Sequence, residues 1–397
     1  MSYFKKTTAN TAVPSQGNTA NDTAVPADAA DTIAAVRWSP VANHLAAASW
    51  DGKVRIYDVT GSSAAKNSTD RSARGLAQIT AEGPLFACDW YKDGSIVAAV
   101  GADKKVHLLD AGSGQTASFA AHDAPIRSAR FVDVRGSSSP VLATGSWDRT
   151  LRYWDLRADP ASGPLAAVPC GERVYAMDAA KDLLVVATAD RAVHLVDLAA
   201  DPTRPLRSRE SALAHQTRVV AAFPNGKGWG TASIEGRAAI NTVDEKLDKD
   251  GSDSFTFRCH RSAVVKGQVK VWAVNDMNFH PTNEDIFTTA GSDGTFCFWN
   301  RKMRVRTKTF DVKPKSSSSS SSSSGTDSKK SEGGGNNNDN DDVVAVTATA
   351  FSQVDGGKTF AYATGYDWSQ GYARSSASLP TRLMLHPVYE GDLQRQQ

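Results

Sequence analysis

The chain has 397 residues, 40% of them hydrophobic, and a formal net charge of +2; this is enough apolar material for an extensive core, and too even a charge to imply a nucleic-acid partner, so any basic surface must be local. No apolar run approaches the length of a membrane-spanning helix, and the N-terminus lacks the apolar core of a signal peptide, so no membrane partner is expected. The cysteines Cys88, Cys170, Cys259 and Cys297 form no C-x-x-C pair and read as reduced, buried thiols of a nuclear or cytosolic protein.

Residues 1–30 are rich in Thr, Ala, Asn and Pro with almost no large apolar side chains, which predicts a disordered tail. Within it, a short piece near Thr23–Pro26 is expected to pair with a sheet formed far along the chain. From Thr32 onward the sequence falls into units of short strands. The first, Thr32–Val59, reads as Ile33–Trp38, a turn at Ser39-Pro40, then Leu45–Trp50 and Val54–Val59, and a polar loop follows over Thr60–Arg74. The second is Pro84–Asp110, with Asp93-Gly94 marking a hairpin turn. The third is Ala124–Leu156 and the fourth Arg173–Leu198. The fifth, Thr217–Val243, is the least typical and is followed by a charged loop, Asp244–Ser254. The sixth spans Val271–Trp299. Residues 312–342 contain a serine tract, Gly333–Gly335 and Asn336–Asp342, too polar to offset their ordering entropy, and predict a disordered insert. A seventh unit resumes at Val343, continues through Phe360–Gly365 and, after a loop over Asp367–Pro380, adds Arg382–His386. Residues 391–397 read as a tail.

One offset runs through these units. In the stretch Gly145–Arg157 an acid, Asp148, sits at the turn between two strand-like runs, and Trp154 follows six residues later. The same spacing joins Asp51 to Tyr57, Asp103 to Leu109, Asp190 to Val196, Glu235 to Asn241 and Asp293 to Trp299, while Asp367 opens a seventh copy that loses register. Successive acids lie 52, 45, 42, 45, 58 and 74 residues apart, and the last interval encloses the insert. A period in the low forties with an x-D ending is the mark of four-stranded WD-repeat blades. The expected fold is therefore an all-β, seven-bladed WD-repeat β-propeller, with blades one to six over residues 31–311 and blade seven over residues 343–390. A strand from the N-terminal tail completing the last blade would remove the open edges of the ring.

The histidines invite a catalytic reading. His122, His215 and His260 each precede a blade, and His122, Ser146, Asp148 and Trp154 resemble a Ser-His-Asp arrangement with an aromatic neighbour. Recurrence in a repeat favours a structural hydrogen-bond network, because buried polar groups need partners. No nucleotide, metal or nucleophile-elbow motif is present. Asp248–Gly251 loosely matches a calcium loop but lacks the remaining ligands. No catalytic residue, metal or cofactor is expected.

Basic residues are more informative. Lys53, Lys104, Arg149, Arg191 and Arg237 lie just after the turn acids, so a regular repeat would project them from one face, either as an electropositive surface for an acidic peptide or simply as charged tight turns. A second cluster, Arg301, Lys302, Arg304, Arg306 and Lys308, follows Trp299, and alternation places Arg304, Arg306 and Lys308 on one side of a strand. With Phe257 and Trp299 nearby, such a cluster suits single-stranded nucleic acid. A protected outer edge and a nuclear-import signal are the alternatives.

Four stretches carry a resemblance: Ser233–Arg237, Phe257–Arg261, Val274–Pro281 and Gly291–Trp299. They are similar to a subgroup of WD-repeat proteins comprising the nuclear-pore mRNA export factors and the spindle-checkpoint propeller that partners the Bub kinases. Phe360–Gly371, with its Y-D-W-S-x-G stretch, resembles the export factors rather than the checkpoint protein. The resemblance implies a non-enzymatic adaptor at the nucleus and nuclear pore. Its partner would be the acidic-hydrophobic GLEBS motif of an FG nucleoporin, bound by a monomeric propeller as a heterodimer, with Arg237 facing the motif's glutamates. It also implies contact with RNA or mRNP around Phe257, Trp299, Arg301, Arg304 and Arg306. Asn300 departs from the more usual acid after Trp299. The alternative is a checkpoint adaptor that binds kinase or kinetochore peptides on the same face.

Overall fold

Seven antiparallel sheets follow one another along the chain, each starting with an inner strand and ending with an outer one. The computed structural model describes residues 15–62, 73–135, 139–244, 253–312, 344–372 and 379–394. The expectations for residues 1–14, for most of the 312–342 insert, for the Asp248–Gly251 loop and for residues 395–397 lie outside the described residues. The sheets are the blades of a β-propeller, in the order read from the sequence.

The second strand of a blade is buried on both faces by its neighbours. Val141–Ser146, Leu183–Thr188, Gly228–Ser233 and Ile286–Gly291 are buried at every position. Small and β-branched side chains dominate them, as two-sided packing requires. The fourth, outer strands are the reverse. Arg74–Thr80 and Thr116–Ala120 are mostly exposed, and Pro205–Glu210 alternates exposed with half-buried positions. They carry little hydrophobic signal, which is why the sequence units end at the third strand. The apolar clusters lie between blades: Ile33, Trp38 and Tyr57 of blade one pack with Ala361, Leu383 and Leu385 of blade seven, and Phe296, Phe298 and Phe310 of blade six pack with Phe351 and Phe360 of blade seven.

The N-terminal segment closes the ring, and more of it is ordered than its composition suggests. β1 (Ser15–Gln16) adds in parallel to the outer strand of blade six, opposite Lys308 and Thr309. Gly17 continues it, and a Cβ there would lie 2.2 Å from the Phe310 ring, so only glycine lets the chain pass. β2 (Thr23–Val25) pairs antiparallel with Leu383–Leu385 and supplies the fourth strand of blade seven, as the sequence anticipates. Between them, the Asp22 carboxylate meets His386 Nδ1 at 2.7 Å and accepts from the Tyr362 hydroxyl at 2.6 Å. A short helix, α1 (Glu390–Leu393), brings Asp392 to Lys308 Nζ at 3.2 Å.

Aspartates on three inner strands tie one blade to the next. Asp89 accepts from Phe131 N at 2.8 Å, Asp178 from Ala222 N at 2.8 Å and Asp276 from Thr349 N at 2.7 Å. Each carboxylate therefore satisfies a backbone donor that the neighbouring inner strand leaves unpaired along the axis.

Candidate partner-binding face

The turn between the second and third strands meets the loop entering the same blade. Asp51 accepts from Ala30 N at 3.0 Å, Asp103 from Glu82 N at 3.4 Å and Asp148 from Asp123 N at 3.2 Å. Acid turns and entry loops therefore share one face of the ring.

On that face His122 is a scaffold element. Trp154 Nε1–H donates to Thr144 Oγ1 at 3.0 Å, Thr144 lies 2.7 Å from His122 Nε2, and His122 Nδ1 lies 2.8 Å from Asp148. With Asp148 ionised, its acceptor oxygen fixes the proton on Nδ1, and Nε2 accepts from the Thr144 hydroxyl. Burial holds the His122 pKa below its usual value despite the attraction of Asp148. Burial also raises Asp148, but bonds from Thr150 and His122 outweigh it and leave the carboxyl below its usual range. Ser146 does not take the expected place: its hydroxyl contacts the Ala124 and Pro125 carbonyls and receives Asp148 N. The Ser-His-Asp likeness does not assemble, because Thr144, two residues earlier on the same strand, points at the imidazole.

Blade six repeats the chain of bonds with His260, Thr289, Asp293 and Trp299. His260 lies 2.9 Å from both Asp293 and Thr289, and Trp299 Nε1 donates to Thr289 at 2.9 Å. Trp299 is only 8% exposed, so it is the counterpart of Trp154 and forms the wall of a site rather than an open stacking surface. His215, the remaining candidate, is exposed and 3.4 Å from Glu235.

The basic tips occupy two different turn positions. Lys104, Arg149 and Arg191 have φ of 67°, 68° and 69°, the left-handed position that Gly52, Gly236 and Gly294 fill in other blades. Lys53 and Arg237 come one residue later, at the start of the third strand. Several tips are already paired: Arg191 with Glu210, Arg149 with Glu172 at 3.7 Å, and Arg237 with Glu235 at 3.3 Å. They form a partly neutralised ring, not a uniform positive surface.

At the axis this face opens into a cavity of about 950 Å³. Trp368 stacks on Trp50 with centroids 5.3 Å apart, Trp50 meets Phe86 at 5.7 Å, and Phe86 meets Trp147 at 6.0 Å. These rings form a continuous aromatic rim from blade seven to blade three. Arg127, Arg173 and Arg218 line the same cavity. Asp367 closes the opposite side, joining Arg218 at 3.4 Å and the Ser292 hydroxyl. Its acid offset from the repeat thus has a purpose: Tyr366–Gln370 crosses the mouth, with Trp368 Nε1 held by Asp31 at 2.9 Å. The rim left a signal in the sequence beyond the acid offset. Trp50 and Trp147 directly precede turn acids, and Trp368 directly follows one.

The second basic cluster lies at the outer junction of blades five and six. Phe257 is 4.6 Å from Trp299 and 5.9 Å from Phe255. Arg304 covers Phe255 at 4.9 Å and Arg306 covers Trp299 at 5.7 Å. The expected stripe of Arg304, Arg306 and Lys308 is broken, because Arg304 sits in a left-handed turn (φ 55°) and the strand begins at Val305. Lys308 turns away to Asp392. Arg301 lies over Phe223 at 4.8 Å and reaches Asp285 at 3.3 Å, while Lys302 is exposed.

Comparisons with known proteins agree with this architecture. The WD domain, G-beta repeat family matches residues 26–58, 113–155 and 251–300. The mRNA export factor GLE2 of Chaetomium thermophilum is 39% identical over 386 residues, covering 96% of this chain and 94% of that protein. The Poly(A)+ RNA export protein of Schizosaccharomyces pombe is 39% identical and covers 99% and 98%. The mitotic checkpoint protein BUB3.1 of Arabidopsis thaliana is 34% identical, covering 72% of this chain and 79% of its own length.

Proposed function

The chain belongs to the WD-repeat family of mRNA export factors, and from that premise we propose that it is a non-enzymatic adaptor in nuclear mRNA export. It docks on the GLEBS segment of an FG nucleoporin and so works at the nuclear pore, forming a heterodimer in which it supplies the propeller. The observation that supports this reading best is the axial mouth, where aromatic rings and arginines line one opening. An acidic-hydrophobic hairpin fits such a surface: its apolar side chains meet Trp50, Trp147 and Trp368, and its carboxylates meet guanidinium groups. Arg237 lies on the same face, beside Glu235, and adds a cation at its margin. RNA or mRNP contacts the separate junction formed by Phe257, Arg304 and Arg306 against the Trp299 wall.

The export reading is preferred over the checkpoint one because the export relatives align over nearly their whole length, through the segment that crosses the mouth. The decisive experiment titrates the full chain with GLEBS-type peptides from the same organism's FG nucleoporin and checkpoint kinase. Tight nucleoporin binding that is lost with Arg237→Glu or Trp368→Ala supports docking at this face. Preference for the kinase peptide reverses the choice, and binding of neither peptide refutes both.

A further inference from the structure

Below the aromatic rim, the axial channel narrows to a second cavity of about 60 Å³, whose charged lining is Arg37, Arg127, Arg130, Arg218 and Asp276. That volume holds several waters or one tetrahedral oxyanion. Two of the arginines have carboxylate partners elsewhere: Arg130 joins Asp178 at 2.7 Å, and Arg218 joins Asp367 at 3.4 Å. Arg37 and Arg127 have none within salt-bridge distance among the described residues. Their hydrogen bonds go to the carbonyls of Val36 at 3.2 Å and Phe86 at 3.5 Å. The one lining carboxylate is already engaged, since Asp276 accepts from Thr349 N and Oγ1, Met277 N and Asn278 Nδ2.

Two guanidinium groups, Arg37 and Arg127, therefore enter a narrow, desolvated space without a carboxylate partner of their own, beside two that are already paired and an Asp276 whose oxygens are already bonded. Like charges there repel far more strongly than in water, and burial with Arg218 alongside pushes the Arg127 pKa down to about 10. Three explanations would account for so costly an arrangement: a deprotonated arginine, a permanently strained channel, or a bound counter-ion. Arginine gives up its proton with great reluctance, and a guanidinium fork binds oxyanions bidentately.

We propose that the narrow part of the axial channel is an oxyanion-binding site, with Arg127 and Arg37 as its principal ligands and Arg218 as a third. The oxyanion has two sources, a free phosphate-type ion or a carboxylate side chain reaching down from a segment docked on the mouth. Neither source requires the other, and the site stands whether or not the docked segment is a nucleoporin.

The test compares the wild-type chain with Arg127→Met and Arg37→Met by thermal unfolding during a titration with inorganic phosphate, at ionic strength held constant with chloride. For a free ion, wild-type Tm rises with phosphate and saturates. Arg127→Met starts at an equal or higher Tm because a repelling charge is gone, and its response to phosphate is flat. For a carboxylate source, phosphate leaves Tm unchanged. Affinity for the nucleoporin peptide instead falls at least tenfold in Arg127→Met, and the loss disappears when one peptide glutamate is replaced by glutamine. Arg37→Met repeats either pattern if Arg127→Met folds poorly. Equal phosphate responses in all three proteins, together with peptide binding indifferent to both substitutions or absent, overturn the proposal. Tight peptide binding with that indifference overturns this site while leaving the docking reading intact.

Discussion

Trp50 of the first blade and Trp368 of the seventh stack with their ring planes 1° from parallel and their centroids 5.3 Å apart. The contact bridges the seam where the ring closes, and it forms part of the aromatic rim of the axial cavity. A parallel, offset stack contributes on the order of 1 kcal/mol beyond the area it buries.

Replacing Trp368 by alanine is therefore expected to cost little stability and much binding. Thermal unfolding should shift by only a few degrees, whereas affinity for the nucleoporin peptide should fall by about tenfold or more, as for a central aromatic anchor. Calorimetric titration alongside a melting curve separates the two effects. A large loss of stability with unchanged affinity would assign the stack to closure alone.

Thr144 carries the hydrogen bonds that the sequence reading assigned to Ser146. Thr144→Val keeps the shape but leaves Trp154 Nε1–H and His122 Nε2 without their partner. Each stranded buried group costs about 1–3 kcal/mol. Thr289→Val should do the same in blade six, where Trp299 and His260 share the hydroxyl. Chemical denaturation checks this, and a smaller effect than that of Ser146→Ala would refute the assignment.

Closure at the seam should weaken in alkali. Burial pushes the His386 pKa down, but the hydrogen bond to Asp22 and the Asp392 carboxylate 3.8 Å from Nε2 outweigh it and hold it above the ordinary value. Protonated His386 favours the folded state, so its contribution is complete below the unfolded-state pKa of roughly 6.5 and disappears as pH rises through the raised folded-state value. Asp392 behaves oppositely. Burial alone would raise it, yet the nearby His386 imidazole, the bond from Tyr389 N and the Lys308 ammonium leave it lowered, so its contribution is lost only in acid. Lys308 is the remaining cation beside these carboxylates, and the neutral Tyr362 hydroxyl donates to Asp22. Hydrogen exchange at Thr23–Val25 should therefore accelerate as pH rises past neutrality, beyond the intrinsic rate, and His386→Gln should remove that extra dependence.

At the blade five to six junction, Arg304→Glu with Arg306→Glu should weaken single-stranded RNA binding. If both arginines contact phosphates, the slope of log affinity against log salt should drop by about 1.4, roughly 0.7 for each contact. An unchanged slope would remove the RNA role from this junction. The prediction does not depend on the mouth, because the two surfaces share no residue named for either.

Much of this molecule was legible in its sequence. The six-residue offset from each turn acid located six turns and the seventh acid, and its spacing gave blade count and order, because every blade must solve the same local problem of a tight turn beside an entry loop. Alternating hydrophobic residues exposed the first three strands of each blade. The outer strands stayed hidden, since strands with one solvent-facing edge need no apolar pattern: Pro205–Glu210 is mostly charged or polar.

What the tertiary structure alone decided is which side chains meet. A one-residue difference along a turn places Arg237 at a strand start and Arg191 in a left-handed corner. Strand register, invisible in residue spacing, points Thr144 rather than Ser146 at His122. Ring closure brings Asp22 to His386 and Trp50 to Trp368. It also gathers arginines from the first, third and fifth blades into one channel. A sequence records the period of a repeat because that is a local constraint; the axis around which the repeats close is a property of the whole ring, and the mouth and its charge exist only there.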